Sequence, residues 1–124
     1  MPPKYLVLLK FGAAAWNHWR VEHPDAAIVL DGAGLDGMIL TGIDFSGVSL
    51  RGASLHATNL MNANLRHADL TGANLTEADL IAANLEGADL RGCTLRDADL
   101  LGANLTNARY DSSDLAGALH ASQS

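Results

Sequence analysis

Leucine recurs at every fifth position through most of this 124-residue chain. From Leu35 to Leu115 the pattern is broken only by Phe45 and Tyr110. Five residues of α-helix turn about 500°, so successive leucines would drift by about 140° and would form no apolar face. In a flat strand, an odd spacing would place alternate leucines on opposite faces. The chain must therefore bend once in every repeat.

The other places of the repeat are almost as regular. A small residue, usually Ala, stands two places before most of these leucines, and Asn or Asp often stands between the two. Glycine is common two places after the leucine, at Gly37, Gly42, Gly47, Gly52, Gly72, Gly87, Gly92, Gly102 and Gly117. Glycine suits tight corners because it adopts left-handed conformations at little steric cost. We therefore expect Leu and Ala to point inward and the three other residues to point outward.

The run ANLTEADLIAANLEGADL, residues 73–90, resembles the pentapeptide-repeat family, whose consensus is A-[DN]-L-x-x. Eighteen such repeats can be counted over 28–117, although Met38, Ile43 and Val48 replace Ala in early ones. The resemblance implies an all-β fold, a right-handed quadrilateral parallel β-helix with four repeats in each coil. Coils about 4.8 Å apart would then form a rod roughly 22 Å long.

Residues 1–27 precede the repeats and are predicted to form a short α-helical cap. One face of the helix would carry Leu8, Phe11, Ala15 and Trp19. Pro24 would end this helix. The motif Trp-Asn-x-Trp-Arg, which begins at Trp16, is similar to a leader in other pentapeptide-repeat proteins. Because the end of a solenoid needs covering, we assign Trp16 and Trp19 to packing of the cap.

Charge and hydropathy limit the partners and the location of the chain. A formal net charge of -6 with only eight Lys and Arg argues against direct binding of nucleic acid. No apolar run approaches the roughly 18 residues that a membrane span needs. Lys10 interrupts the N-terminal apolar run, which is too short for a signal peptide, so we expect a cytoplasmic location.

No catalytic residue, cofactor or metal site is predicted, and the chain is not expected to be an enzyme. A solenoid filled with Leu and Ala offers no pocket for a nucleophile and its base. Asp114 and His120 lie near two serines, but this segment is polar and would form no pocket. Cys93, the sole cysteine, replaces an inward Ala and is predicted to be a buried, inert thiol.

Residues twenty apart would stack directly above one another if four repeats make a coil. One outer column would contain Thr41, Met61, Ile81 and Leu101. The column beside it would contain Ile39, Asn59, Asp79 and Asp99. An aligned row of large exposed apolar side chains is typical of an interaction site, whereas scattered ones are ordinary. We therefore predict a rigid scaffold or binding module that contacts a protein through this face.

The C-terminal end adds a second possible contact. Residues 118–124 are predicted to form a short polar tail that would leave the last coil open. A homodimer could then form through the apolar column or through this open end.

The alternative hypothesis is mimicry of duplex DNA. Some pentapeptide-repeat proteins look like duplex DNA and bind type II topoisomerases, and Asp69 and Asp89 would be the acidic residues of such a surface here. The repeats hold twelve Asp and Glu against five Arg, a net charge of -7. Duplex DNA of this length would carry about thirteen charges. Stacked like charges such as Asp69 and Asp89 repel one another, and Arg91 beside Asp89 could offset that repulsion.

Overall fold

The computed structural model describes residues 3–121 as two helices followed by a solenoid. Helix α1 spans Pro3–Phe11 and helix α2 spans Ala13–Glu22. A short 3-10 helix, Ser112–Leu115, interrupts the last coil. Every β contact in this part of the chain is an isolated parallel bridge, and none extends into a longer strand. No helix among residues 3–121 is long and apolar enough to cross a membrane.

The bridges join residues twenty apart, which is the register of the predicted β-helix with four repeats in each coil. They run from Val29 with Ser49 to Asp99 with Leu119. We number the coils from the N-terminus: coil 1 is 28–47, coil 2 is 48–67, coil 3 is 68–87 and coil 4 is 88–107. Residues 108–121 belong to coil 5.

Each corner is a tight turn closed by one backbone hydrogen bond. At the first corner the N–H of Ala33 donates to the carbonyl of Leu30 at 3.0 Å, and Gly32 between them has a φ of 69°. Only the third residue of the turn has a positive φ, as in a type II turn. Residues other than glycine also hold this conformation, for example Glu77 with a φ of 62°.

The core consists of the inward leucines and the small residues that precede them. Phe45 takes a leucine place without exposure, and Cys93 takes an alanine place. Thr58 is the one buried polar residue among those described, and its hydroxyl donates to the Leu55 carbonyl at 2.8 Å. No buried side-chain nitrogen or oxygen in residues 3–121 is left without a partner.

The N-terminal cap is two helices, so the single helical face predicted for it is wrong. The chain breaks at Gly12, whose φ of 102° is rarely adopted by other residues. Tyr5, Leu9 and Trp16 are the buried side chains, whereas Phe11 is 77% exposed. The break rotates α2 relative to α1, so a periodicity counted across Gly12 does not describe one face.

Side chains of α2 cover the open backbone of coil 1. The indole N–H of Trp16 donates to the Asp44 carbonyl at 2.7 Å, and Asn17 Oδ1 accepts the Asp44 N–H at 2.7 Å. Arg20 donates to the carbonyls of Asp44 and Ser46 at 3.0 and 2.9 Å. In later coils the equivalent groups pair with the preceding coil. The Trp-Asn-x-Trp-Arg motif therefore replaces a missing coil along this wall.

The solenoid register extends past the predicted boundary at residue 118. Leu119 bridges Asp99, and its N–H donates to the Ala98 carbonyl at 2.7 Å. Part of the predicted polar tail is thus a wall of coil 5. Its last residues, 122–124, lie outside the described residues, as do residues 1–2 of the predicted cap.

Candidate protein-interaction face

One wall of the solenoid carries apolar side chains from coil 1 to coil 5. Its bridges run through Ile39, Asn59, Asp79, Asp99 and Leu119. The six residues predicted for an interaction site all lie on this wall: Ile39, Met61, Asp79, Ile81, Asp99 and Leu101. We call the apolar face the set of Ile39, Met61, Ile81, Leu101 and Leu119.

The apolar face is most exposed at its two ends. Ile39 is 75% exposed, Leu101 51% and Leu119 46%, while Met61 and Ile81 are partly exposed between them. The sequence interpretation missed Leu119 because it assigned this residue to the tail. Its distance of twenty residues from Asp99 was the signal that could have placed it on the wall.

The polar residues beside the apolar face are hydrogen-bonded to the backbone that presents it. Asp79 Oδ1 accepts the N–H of Ile81 at 3.0 Å, and Asp99 Oδ1 accepts that of Leu101 at 3.1 Å. Asn59 does the same for Met61. These side chains therefore hold the corners, which leaves the second carboxylate oxygen of Asp79 and of Asp99 for other contacts.

His120 borders the C-terminal end of this wall. Its Nδ1 lies 2.8 Å from Asp99 Oδ1. The hydrogen bond with His120, helped by the Leu101 N–H, lowers the pKa of Asp99. The carboxylate of Asp99 is thereby kept in its charged form next to Leu101.

Asp69 and Asp89, the residues predicted for a DNA-like surface, lie on the opposite wall and bridge each other. Asp89 forms a two-point pair with Arg91, with Nε to Oδ1 at 2.9 Å and a terminal nitrogen to Oδ2 at 2.7 Å. This pair lowers the pKa of Asp89. Asp69 accepts the N–H of Thr71 at 3.0 Å and lies 3.8 Å from Arg51. Arginines therefore offset both carboxylates within their own wall.

A cleft of about 430 Å³ opens elsewhere, between coil 4 and the 3-10 helix. It is lined by Cys93, Thr94, Leu95, Arg96, Ser113, Asp114, Ala116 and Gly117. Burial raises the pKa of the Cys93 thiol to about 12, so this thiol stays protonated at neutral pH. Among residues 3–121, no three His, Cys, Asp or Glu side chains are grouped to hold a metal ion.

The comparisons with known proteins agree with this architecture. Eight copies of the family model described as pentapeptide repeats match residues 29–66, 58–97 and 73–109. A pentapeptide repeat protein from the thylakoid lumen of Arabidopsis thaliana is 32% identical over 78% of this chain, with a TM-score of 0.67. The match covers 64% of that protein. Another, from Nostoc PCC 7120, is 32% identical over 87% of this chain and 94% of its own, also with a TM-score of 0.67.

Two further results of the comparisons concern function. No curated protein sequence matches the chain. The plasmid-mediated fluoroquinolone resistance protein QnrB1 is 23% identical over 73% of this chain and 51% of its own, with a TM-score of 0.35. A likeness of that size transfers no role to this chain.

Proposed function

The chain belongs to the pentapeptide-repeat family, and we propose that it is a non-enzymatic solenoid that binds another protein through the apolar face. The observation that carries this proposal is that five apolar side chains lie on one wall: Met61, Ile81 and Leu101 stack in one column, and Ile39 and Leu119 lie at the two ends of the column beside it. Bridged coils about 4.8 Å apart place Ile39 and Leu119 roughly 19 Å apart. Contiguous exposed apolar surface of this kind marks interaction sites.

The wall is suited to docking because its backbone is fixed. Met61, Ile81 and Leu101 each follow an inward leucine, and the corners of Met61 and Ile81 are held by hydrogen bonds to the next coil. A preformed surface loses little conformational entropy when a partner binds, so more of the buried area contributes to affinity. Apart from Thr58, the buried inward positions described are filled by apolar side chains, so the polar groups lie mainly on the outer walls.

DNA mimicry receives less support from the arrangement of charges. The pairing of Asp89 with Arg91 and the arginine near Asp69 lower the density of free negative charge on that wall. A mimic would also bind through long-range electrostatics, which salt screens, whereas apolar contacts persist at high salt. Salt dependence therefore separates the two functions.

The direct test is affinity capture from a lysate of the source organism with wild type, Ile81→Glu and Thr106→Glu. Thr106 occupies the same place in its repeat as Ile81 but lies on another wall, so it is a matched control. We expect wild type and Thr106→Glu to capture the same protein at low and high salt. Burial of an Ile side chain contributes ~1.5–3 kcal/mol, so the purified partner should bind Ile81→Glu at least about tenfold more weakly.

Other outcomes would overturn the proposal. Equal affinity of the purified partner for wild type and Ile81→Glu would exclude the apolar face as its site. Capture of a DNA-binding enzyme that dissociates at high salt would favour mimicry. If wild type alone sediments as a dimer and Ile81→Glu as a monomer, the partner is a second copy of this chain.

A further inference from the structure

Coil 5 leaves the solenoid register along one wall and then returns to it. Asp89 bridges Arg109 and Asp99 bridges Leu119, so the chain between these contacts has the same length in both coils. Thr94, midway in coil 4, bridges only the preceding coil. In coil 5, where a regular repeat would stack on Thr94, the chain forms the 3-10 helix Ser112–Leu115. The length of this segment does not require the departure.

The departure begins at the one corner residue that lacks the usual conformation. In every other repeat, from Gly32 to Gly117, the residue two places after the central position has a positive φ. Ser112 holds this place after Tyr110 but belongs to the 3-10 helix. A left-handed conformation costs energy for a residue with a Cβ atom. Seven other corner residues with a Cβ atom, for example Glu77, nevertheless adopt it, so this cost makes the regular corner less favourable at Ser112 without preventing it.

The carboxylate of Asp114 stabilises the departed segment. Its Oδ1 accepts the N–H of Gly92 at 3.2 Å, and its Oδ2 accepts that of Asp111 at 2.8 Å. One coil earlier, the N–H of Gly72 donates to the Arg91 carbonyl at 3.0 Å. The Asp114 side chain therefore stands in for the backbone carbonyl that a regular coil 5 would supply.

The backbone bridge between Thr94 and Asp114 that a regular coil 5 would form is missing. Two backbone groups of coil 4 that this bridge would engage therefore have no protein partner among residues 3–121. These are the carbonyl of Cys93 and the N–H of Leu95, which line the cleft. In coil 3 the carbonyl of Ala73 accepts the Thr94 N–H at 3.0 Å, and the N–H of Leu75 donates to the Thr94 carbonyl at 2.8 Å. The cleft is thus the gap left by one missing parallel bridge.

We propose that residues 112–117 are a strap with two states: the open one described above, and a closed one in which 113–117 packs on coil 4 as a regular repeat. Residues 113–117 of the strap, Ser-Asp-Leu-Ala-Gly, match the repeat: a small residue, an acidic residue, a leucine and a glycine stand in their usual places. Leu115, now partly buried, would turn fully inward. The backbone of Asp114 would bridge Thr94, and the cleft would disappear.

Closure needs only this segment to move. Arg109 and Leu119 at its two ends already pair with coil 4 in the regular register. The Asp114 side-chain bonds to Gly92 and Asp111 would be lost. Backbone bonds to Cys93 and Leu95 would form in their place. Because one set of hydrogen bonds replaces another, the cost of the left-handed conformation at Ser112 shifts the balance towards the open state.

The test is Ser112→Gly, followed by amide hydrogen exchange resolved by residue. Glycine removes the steric cost of the corner, so the Leu95 amide should exchange about tenfold more slowly than in wild type. The Leu75 amide, already bonded to Thr94, should not change. Labelling of the Cys93 thiol should slow in parallel, because the closed strap would cover the cleft.

Ser113→Gly is the matched control, since this neighbour of Ser112 is not a corner residue. It should not slow exchange at Leu95. Ser112→Asn, which tolerates the left-handed conformation better than Ser, should give a smaller change in the same direction as Ser112→Gly. Unchanged exchange at Leu95 in both Ser112 variants, with normal protection at Leu75, would overturn the proposal.

Discussion

Leu75 represents the inward leucines that set the fold at the scale of single residues. It is fully buried in coil 3 between Leu55 and Leu95 of the same column. We expect Leu75→Ala to lower the free energy of unfolding by about 2–5 kcal/mol, because the stacked coils cannot collapse fully into the cavity. Denaturant unfolding followed by circular dichroism measures this change.

The control for this prediction is Thr106→Ala, on an outer wall, which should change the free energy of unfolding by about 0.5 kcal/mol at most. A loss of under about 1 kcal/mol for Leu75→Ala would contradict the stacked core. In that case, burial of the inward leucines would not be the main source of stability.

Asp89 gives a prediction for pH. Its pKa is lowered by the hydrogen bonds from Arg91, so its contribution to stability is present above the unfolded pKa and is lost as the pH falls through the lower folded value. We expect Asp89→Asn to lose less stability than wild type between about pH 5 and pH 2. Denaturant unfolding across that range provides the comparison.

Arg91→Gln is the partner variant in this experiment. It removes the guanidinium that lowers the pKa of Asp89, so it should flatten the same part of the pH profile. The effect will be small because the Arg91 side chain is about half exposed, and solvent screens its charge. Wild-type acid sensitivity in both variants would show that this pair does not contribute to the pH dependence.

The cap is the element whose role depends on a few side-chain contacts. Asn17 Oδ1 accepts the Asp44 N–H at 2.7 Å, and Asn17 Nδ2 donates to the Gly42 carbonyl at 3.0 Å. Asn17→Ala should therefore expose the edge of coil 1 and cost about 1–3 kcal/mol. Amide exchange at Asp44 should accelerate, while the Asn84 amide in coil 3 should keep its protection.

His18→Ala is the control for the cap, because His18 is exposed and its contact with Glu22 lies on the surface. Surface pairs contribute little, so exchange at Asp44 should stay at the wild-type rate. Equal acceleration in both variants would mean that helix stability, and not the Asn17 contacts, protects coil 1.

The elements show what the sequence could and could not predict. The five-residue period predicts the solenoid because every inward leucine must reach the same core. The break at Gly12 and the 3-10 helix that begins at Ser112 depend on backbone conformation, and apolar spacing carries no signal for either. For the same reason, the prediction of a single helical face that contains Phe11 was wrong.

Four of the five residues of the apolar face could be predicted from the sequence, all except Leu119, but the contacts around them could not. A twenty-residue spacing aligns Met61 and Ile81 without knowledge of the structure. The hydrogen bond from the Ile81 N–H to Asp79 Oδ1 could be predicted only from the geometry of the corner. Leu119 required the chain to return to register after the 3-10 helix, which the composition of the tail did not suggest.

At the scale of the whole molecule, the solenoid is a stack in which each coil contacts only its neighbours. Such a stack holds the five apolar residues in two neighbouring columns of one wall, with a fixed spacing between coils. The cap closes one end along one wall, and the strap makes the other end adjustable. The molecule therefore presents one rigid wall, with its variable part on a different wall.

We propose that a protein partner docks on this rigid wall. The most direct measurement places a photo-cross-linking amino acid at position 81, and separately at position 106, and identifies the adducts formed in a lysate of the source organism. We expect position 81 to cross-link one protein. That protein should also bind the purified wild-type chain, and an excess of this chain should reduce the amount of adduct. Adducts to that protein at position 106 but not at position 81 would contradict the claim.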